Sequence, residues 1–132
     1  MENLFIKPTV NTPKVDLDKD QGLIQLAGKS IPDSTSRWYR PVMDWIYEYV
    51  KNPQAKTQVK FNIEYLNSTT LKFYYIIMKK MEELHKSGFD VHIEWKYEED
   101  DEDILETGEY LISVVDVPIN LVEIEEGAEE ED

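Results

Sequence analysis

The segment Glu64-Tyr65-Leu66-Asn67-Ser68-Thr69-Thr70-Leu71-Lys72 holds the side chains best placed for a regulated chemical step. An alternating strand pattern stops there, three consecutive hydroxyls follow, and a helical pattern begins. A strand that passes straight into a helix through Asn-Ser-Thr-Thr sets hydroxyl oxygens beside the unpaired N–H groups of a helix start. A phosphate is tolerated at such a place, where it adds about −1.5 to −2 charges at the positive end of the helix dipole. Asn67 or Ser68 also reads as an ordinary helix cap. The two roles are compatible, because capping and phosphate stabilisation use the same donors.

No other set of residues competes for chemistry. His85 and His92 are the only histidines. Neither has the i, i+4 partner of a helical metal site, although Glu82 lies three residues before His85, so no metal is expected. Carboxylates cluster in two runs that read as solvated, whereas general acid/base catalysis needs separated, buried environments. The glycines are scattered, without a phosphate-binding loop or dinucleotide fingerprint, and no cofactor is expected. The chain reads as a regulated binding module and not as an enzyme.

Bulk properties narrow the class further. The chain has 132 residues, 41% of them hydrophobic, which fits one domain with a single core. A domain over residues 1–124 and an acidic, flexible tail over 125–132 are expected. Cysteine is absent, which removes disulfides, thiolate metal sites and cysteine nucleophiles. No apolar run approaches the roughly 18 residues that span a bilayer, and the first residues lack a signal-peptide pattern. A cytoplasmic protein without membrane contact is expected. The net charge is −14. Glu98–Asp103 holds six consecutive acids and Glu123–Asp132 seven more; the remaining 15 acids (28 − 13) nearly balance 14 Lys and Arg. A nucleic-acid partner is not expected from such a balance.

The elements that must position Asn67–Thr70 follow from periodicity. Leu4–Ile6, Lys14–Leu17 and Leu23–Ala27 read as short strands, the last two joined by the turn Lys19-Asp20-Gln21-Gly22. Trp38, Val42, Trp45, Ile46 and Tyr49 make one stripe of a helix from about Ser36 to Lys51, with Ser34 or Ser36 as cap and Pro41 in or near the first turn. Val59, Phe61, Ile63 and Tyr65 alternate with Gln58, Lys60, Asn62 and Glu64. A helix from about Ser68 to Lys86 ends at Ser87-Gly88. Val91, Ile93, Trp95 and Tyr97 alternate next, and Trp38, Trp45 and Trp95 read as core. A shorter third helix follows the acidic run, and Val117–Ile124 is a last strand. The order β-β-β-α-β-α-β-α-β predicts an α/β fold: a mixed or parallel sheet of about five strands after an N-terminal hairpin. Half-polar strands predict helices mainly on one face, the other staying wet. On the second helix, Phe73, Tyr75 and Ile76 fall outside the main apolar stripe. They either meet a neighbouring helix or form a docking patch beside Ser68, flanked by Tyr65, Leu66 and Lys72.

The strand–Asn-Ser-Thr–helix joint is similar to the phosphorylation turn of STAS domains, the anti-sigma-factor antagonists. The whole chain resembles the SiaC family of regulatory phosphoproteins more closely. The resemblance rests on Thr12-Pro13, Ile31-Pro32-Asp33-Ser34, Asp44-Trp45, Tyr65–Lys72 and His92-Ile93-Glu94-Trp95-Lys96-Tyr97, and it spans about residues 8 to 124. It implies a STAS-like fold and a partner-switching circuit with a Ser/Thr kinase and a PP2C-type phosphatase. It further implies that the unphosphorylated form activates a diguanylate cyclase, raising cyclic di-GMP and favouring biofilm. Carried onto this chain, the phosphoacceptor is Ser68, with Thr69 as fallback and Asn67 and Thr70 as supports. Two other readings stay open: a STAS-type anti-sigma-factor antagonist, and a small-ligand domain using the polar sheet face around Lys60, Asn62, Glu64, His92 and Glu94.

Overall fold

The computed structural model describes residues 1–125, so the expected tail lies outside the described residues except for Glu125. The elements are β1 (Leu4–Ile6), β2 (Lys14–Asp18), β3 (Leu23–Ser30), α1 (Thr35–Tyr49), β4 (Lys56–Leu66), α2 (Ser68–Lys86), β5 (Asp90–Glu98), α3 (Glu102–Val114) and β6 (Ile119–Ile124). The order is the expected one. The sheet, however, has six strands in the order β1-β2-β3-β4-β5-β6, not about five after a separate hairpin. The reason is β3: it pairs antiparallel with β2 and parallel with β4, so the N-terminal strands are part of the same sheet.

Three parallel crossovers step across the sheet in one direction. Right-handed connections of that kind place α1, α2 and α3 on the same face. The burial agrees. One continuous row, Ile6–Val15–Leu26–Phe61–Trp95–Leu121, crosses all six strands toward the helices. Its four central members from Val15 to Trp95 are fully buried. The row on the opposite face is Phe5–Asp16–Gln25–Lys60–Glu94–Asn120, polar in all but its first member. Gln25 alone in that row is buried, with its Nε2 unpaired.

The helices depart from the expected pattern in two places, each for a local reason. Pro41 lies seven residues into α1, beyond the first turn. It is exposed there, and it has no N–H to give the Arg37 carbonyl four residues earlier. Helix α3 starts inside the acidic run. Asp101 caps it by accepting from the Ile104 N–H at 3.0 Å, and Glu102 and Asp103 sit against the positive end of the dipole. Gly88 ends α2 at φ 102°, in the left-handed region its sequence position suggests. Gly108 lets α3 lie directly on the sheet: a Cβ there would stand 2.5 Å from Trp95 Cδ1 and 2.7 Å from Leu121 Cδ2. The indole it touches donates from Nε1 to the Ile104 carbonyl at 2.8 Å.

Where β3, α1 and α2 meet, the core contains a chain of hydroxyls. Thr70 Oγ1 donates to the Ser30 carbonyl at 3.1 Å. Ser30 Oγ is 2.8 Å from Thr70 Oγ1 and 2.7 Å from Tyr39 Oη, and Tyr39 Oη is 2.8 Å from Tyr74 Oη. Each hydroxyl has one proton, so a chain ending on a carbonyl runs in one direction: Tyr74 to Tyr39 to Ser30 to Thr70. All four residues are fully buried. Burial pushes the Tyr39 phenol up to about 12 and raises Tyr74 well above its usual range.

Two outcomes follow. Gly108→Ala forces the Trp95 indole to shift and costs about 1–3 kcal/mol, read as a lower urea midpoint. Both phenols hold their protons more tightly in the folded state than in the unfolded one. Their contribution to stability is therefore complete below pH 10 and is lost as pH rises from the ordinary 10.0 toward about 12. Thermal melts across that interval check it. The Tyr39→Phe chain should lose less stability over the same range.

Candidate functional site

Strand β4 changes phase before it reaches α2. Its pairing with β3 runs Gly28↔Ile63 and then Lys29↔Tyr65, which leaves Glu64 as an extra, bulged residue. The sequence pattern puts Tyr65 on the apolar face with Ile63. The bulge reverses it: Tyr65 is 55% exposed, and Leu66 turns inward opposite the buried Ser30.

Asn67 then caps α2 from an extended backbone conformation, φ −90° and ψ 171°. Its Oδ1 accepts from the Thr70 N–H at 2.8 Å, and its Nδ2 donates to Thr35 Oγ1 at 3.2 Å. Its own N–H donates to the Ser30 carbonyl at 3.1 Å. The cap is thereby fastened to the end of β3 and to the first residue of α1. Of the two cap candidates, Asn67 does the capping and Ser68 is left over. At the start of α1, Ser34 occupies the cap position without a side-chain hydrogen bond.

The three hydroxyls after Asn67 are now distinct. Thr70 is fully buried and committed to the hydroxyl chain. Ser68 and Thr69 are exposed, at the first two helical positions, where backbone N–H groups have no intrahelical acceptor. Neither first turn, of α1 or α2, contains an acidic residue. A dianion on Ser68 would meet the dipole of α2 without local repulsion from its own helix.

The other predicted site residues divide. Lys72 is exposed, one turn beyond Ser68. Phe73, Tyr75 and Ile76 are half-buried, so they are not a freely exposed apolar patch. Phe73 stacks on Tyr39 of α1 at 5.4 Å between ring centroids, the contact with a neighbouring helix that its position off the main stripe allows. Sequence reasoning missed Ser30, Thr35 and Tyr39, which hold the cap in place. A signal for Ser30 existed: it continues the even spacing of Ile24, Leu26 and Gly28 on the core face.

The polar sheet face offers less. A shallow concavity of about 240 Å³ is lined by Lys56, Gln58, Lys60, His92, Glu94 and Asn120, without Asn62 or Glu64. It is smaller than the roughly 300–1,000 Å³ of ordinary ligand pockets. His92 is engaged with Asp90 at 2.7 Å. Among the described residues no three acidic or histidine side chains converge as metal ligands, and no helix is long and apolar enough to cross a membrane.

The arrangement has known counterparts. An uncharacterized protein of Pseudomonas aeruginosa strain UCBPP-PA14 is 28% identical over 109 residues, covering 83% of this chain and 86% of the relative. The crystal structure of apo-SiaC from Pseudomonas aeruginosa superposes with a TM-score of 0.84 at 25% identity, covering 92% of this chain and 99% of that one. SiaC in the crystal structure of the diguanylate cyclase SiaD in complex with its activator, also from Pseudomonas aeruginosa, gives a TM-score of 0.86 at 25% identity, with the same coverage. The mixed α/β fold is that of the SiaC structures. Residues 6–124 match the family model described as SiaC family regulatory phosphoprotein, and the chain belongs to that family.

Proposed function

We propose that this chain is a phosphorylation-controlled activator of a diguanylate cyclase, switched at Ser68. One observation carries the reading. The Ser68 hydroxyl is exposed at the first residue of α2, while the structural work of that turn falls to Asn67 and Thr70. A kinase can take Ser68 without dismantling the cap, and Thr69 is the fallback acceptor. The choice of output is supported by SiaC of Pseudomonas aeruginosa, which was crystallised with the diguanylate cyclase SiaD as that enzyme's activator.

In this reading the chain catalyses nothing itself. It works in the cytoplasm with a Ser/Thr kinase that adds the phosphate and a PP2C-type phosphatase that removes it. The unphosphorylated form binds the cyclase and raises cyclic di-GMP. A phosphate placed in a closing interface is costly unless paired, so one modification releases the partner.

Phosphopeptide mass spectrometry of the protein from its native cells, with phosphatase action blocked, tests the site. The peptide containing Ser68 should carry the phosphate. Ser68→Ala should abolish it while leaving stability within about 0.5 kcal/mol, because Asn67 still caps the helix. A cyclase should co-purify with the Ser68→Ala chain and not with Ser68→Glu. An unchanged phosphate level in Ser68→Ala would remove the site assignment. Co-purification of an anti-sigma factor in place of a cyclase would redirect the output.

A further inference from the structure

The two edges of the sheet are finished differently. Strand β1 is three residues long and runs into Lys7-Pro8, a length and a proline that discourage further pairing. Strand β6 is six residues long, Ile119-Asn120-Leu121-Val122-Glu123-Ile124, without a proline, a lysine or a register shift. Among the described residues no strand pairs with its outer side. The Pro118 carbonyl accepts from the Ile93 N–H at 3.1 Å, and the Ile124 carbonyl from the Glu99 N–H at 3.0 Å. Backbone direction alternates along a strand, so the even-numbered residues of β6 face β5. The N–H and C=O groups of Ile119, Leu121 and Glu123 therefore point to the free edge. Half-buried Ile119 and Leu121 on the helix side, and half-buried Val122 and Ile124 on the other, offer apolar contact along both flanks.

Charge decides what can pair there. From Tyr97 to Glu125 the chain has eleven acids and no Lys, Arg or His, whereas residues 1–96 hold 12 acids against all 14 Lys and Arg. That acidic stretch comprises the end of β5, α3 and β6, which lie against one another: Gly108 of α3 is bounded by Trp95 of β5 and Leu121 of β6. The cations that border it do not offset eleven acids. Lys96 stands opposite Val122, and Lys86 is 3.7 Å from both Glu82 and Asp116. An edge guarded by charge of one sign is selective. A second copy would set eleven acids against eleven, so self-pairing is opposed, while a strand carrying Lys or Arg is drawn in. We propose that the free edge of β6 receives an extended basic segment of a partner protein, β-branched residues alternating with Lys or Arg, as a seventh strand. Its backbone takes up the free groups of Ile119, Leu121 and Glu123, and its side chains set the specificity. The inference stands apart from the reading of Ser68, since none of these groups belongs to the start of α2.

The probe is a synthetic peptide of about eight residues alternating valine with lysine, acetylated and amidated at its ends, added to the full-length protein. Amide hydrogen exchange followed by NMR reads the pairing residue by residue. In the free protein Asn120, Val122 and Ile124 should exchange slowly, and Ile119, Leu121 and Glu123 fast. With the peptide bound, the second set should slow by about tenfold or more. The same peptide N-methylated throughout, which has no backbone donor on either edge, should give no such protection, and a valine–glutamate peptide should not bind. Glu123→Pro should weaken binding about tenfold or more, and Glu123→Gln by no more than about threefold. Glu123 is exposed with its N–H turned away from β5, so neither variant removes a bond of the existing ladder. The N-methylated peptide tests the pairing even if Glu123→Pro unfolds. Binding that leaves the three amides exchanging fast, or that survives N-methylation, is attraction to an acidic surface alone and overturns the proposal. Absence of binding at about 1 mM peptide overturns it as well. If the chain self-associates through β6, and Glu123→Pro abolishes that, the occupant is a second copy and the proposal fails.

Discussion

A carbonyl oxygen can only accept, and the Ser30 carbonyl therefore sets the direction of every hydrogen bond in the chain from Tyr74 through Tyr39, Ser30 and Thr70. The same carbonyl also receives the Asn67 N–H. One backbone group at the end of β3 thus anchors the cap of α2, and the hydroxyl chain ties α1 to both. Buried hydroxyls are costly when unsatisfied and cooperative when fully connected. In this arrangement each donor has an acceptor, so the helix start cannot drift without breaking several bonds together. The rigidity matters because Ser68 itself contributes nothing to it.

That division of labour separates what holds the turn from what the turn presents. Asn67 and Thr70 point inward and are occupied, while Ser68 and Thr69 point outward with their backbone donors unused. A modification can then change the charge of the surface without changing the fold beneath it. The distribution of charge over the molecule follows the same separation. Acids surround the start of α3, where Asp101 serves as a cap, while around the start of α1 the exposed Asp33 and Asp44 alternate with Arg37 and Arg40. A net charge of −14 describes neither end.

Much of this was legible in the sequence, and the reasons are local. Val59, Phe61 and Ile63, and Val91, Ile93 and Trp95, alternate because only one sheet face meets helices. Ser87-Gly88 marks the end of α2 because glycine takes the left-handed conformation required there. The joint at Asn67 was readable from residue type alone. What the sequence did not disclose depends on partners distant in the chain. Nothing within Glu64-Tyr65 announces a bulge; the mismatch arises from pairing with Gly28 and Lys29. Ser30 and Thr70 lie 40 residues apart, so their bond has no sequence signature. Pro41 sits deeper in α1 than its residue type suggests, at a position on the exposed side of the helix.

The bulge at Glu64 also makes the surface near the switch independent of the core. Without it, β4 would carry one phase over its whole length, and any side chain offered to a partner at position 65 would also have to be one the core could accept. The extra residue is a frame shift in three dimensions. It lets the residues up to Ile63 be chosen for packing and those after it for recognition, within one unbroken strand. A substitution at position 65 can therefore change what this corner offers a partner without disturbing what holds the strand in the core.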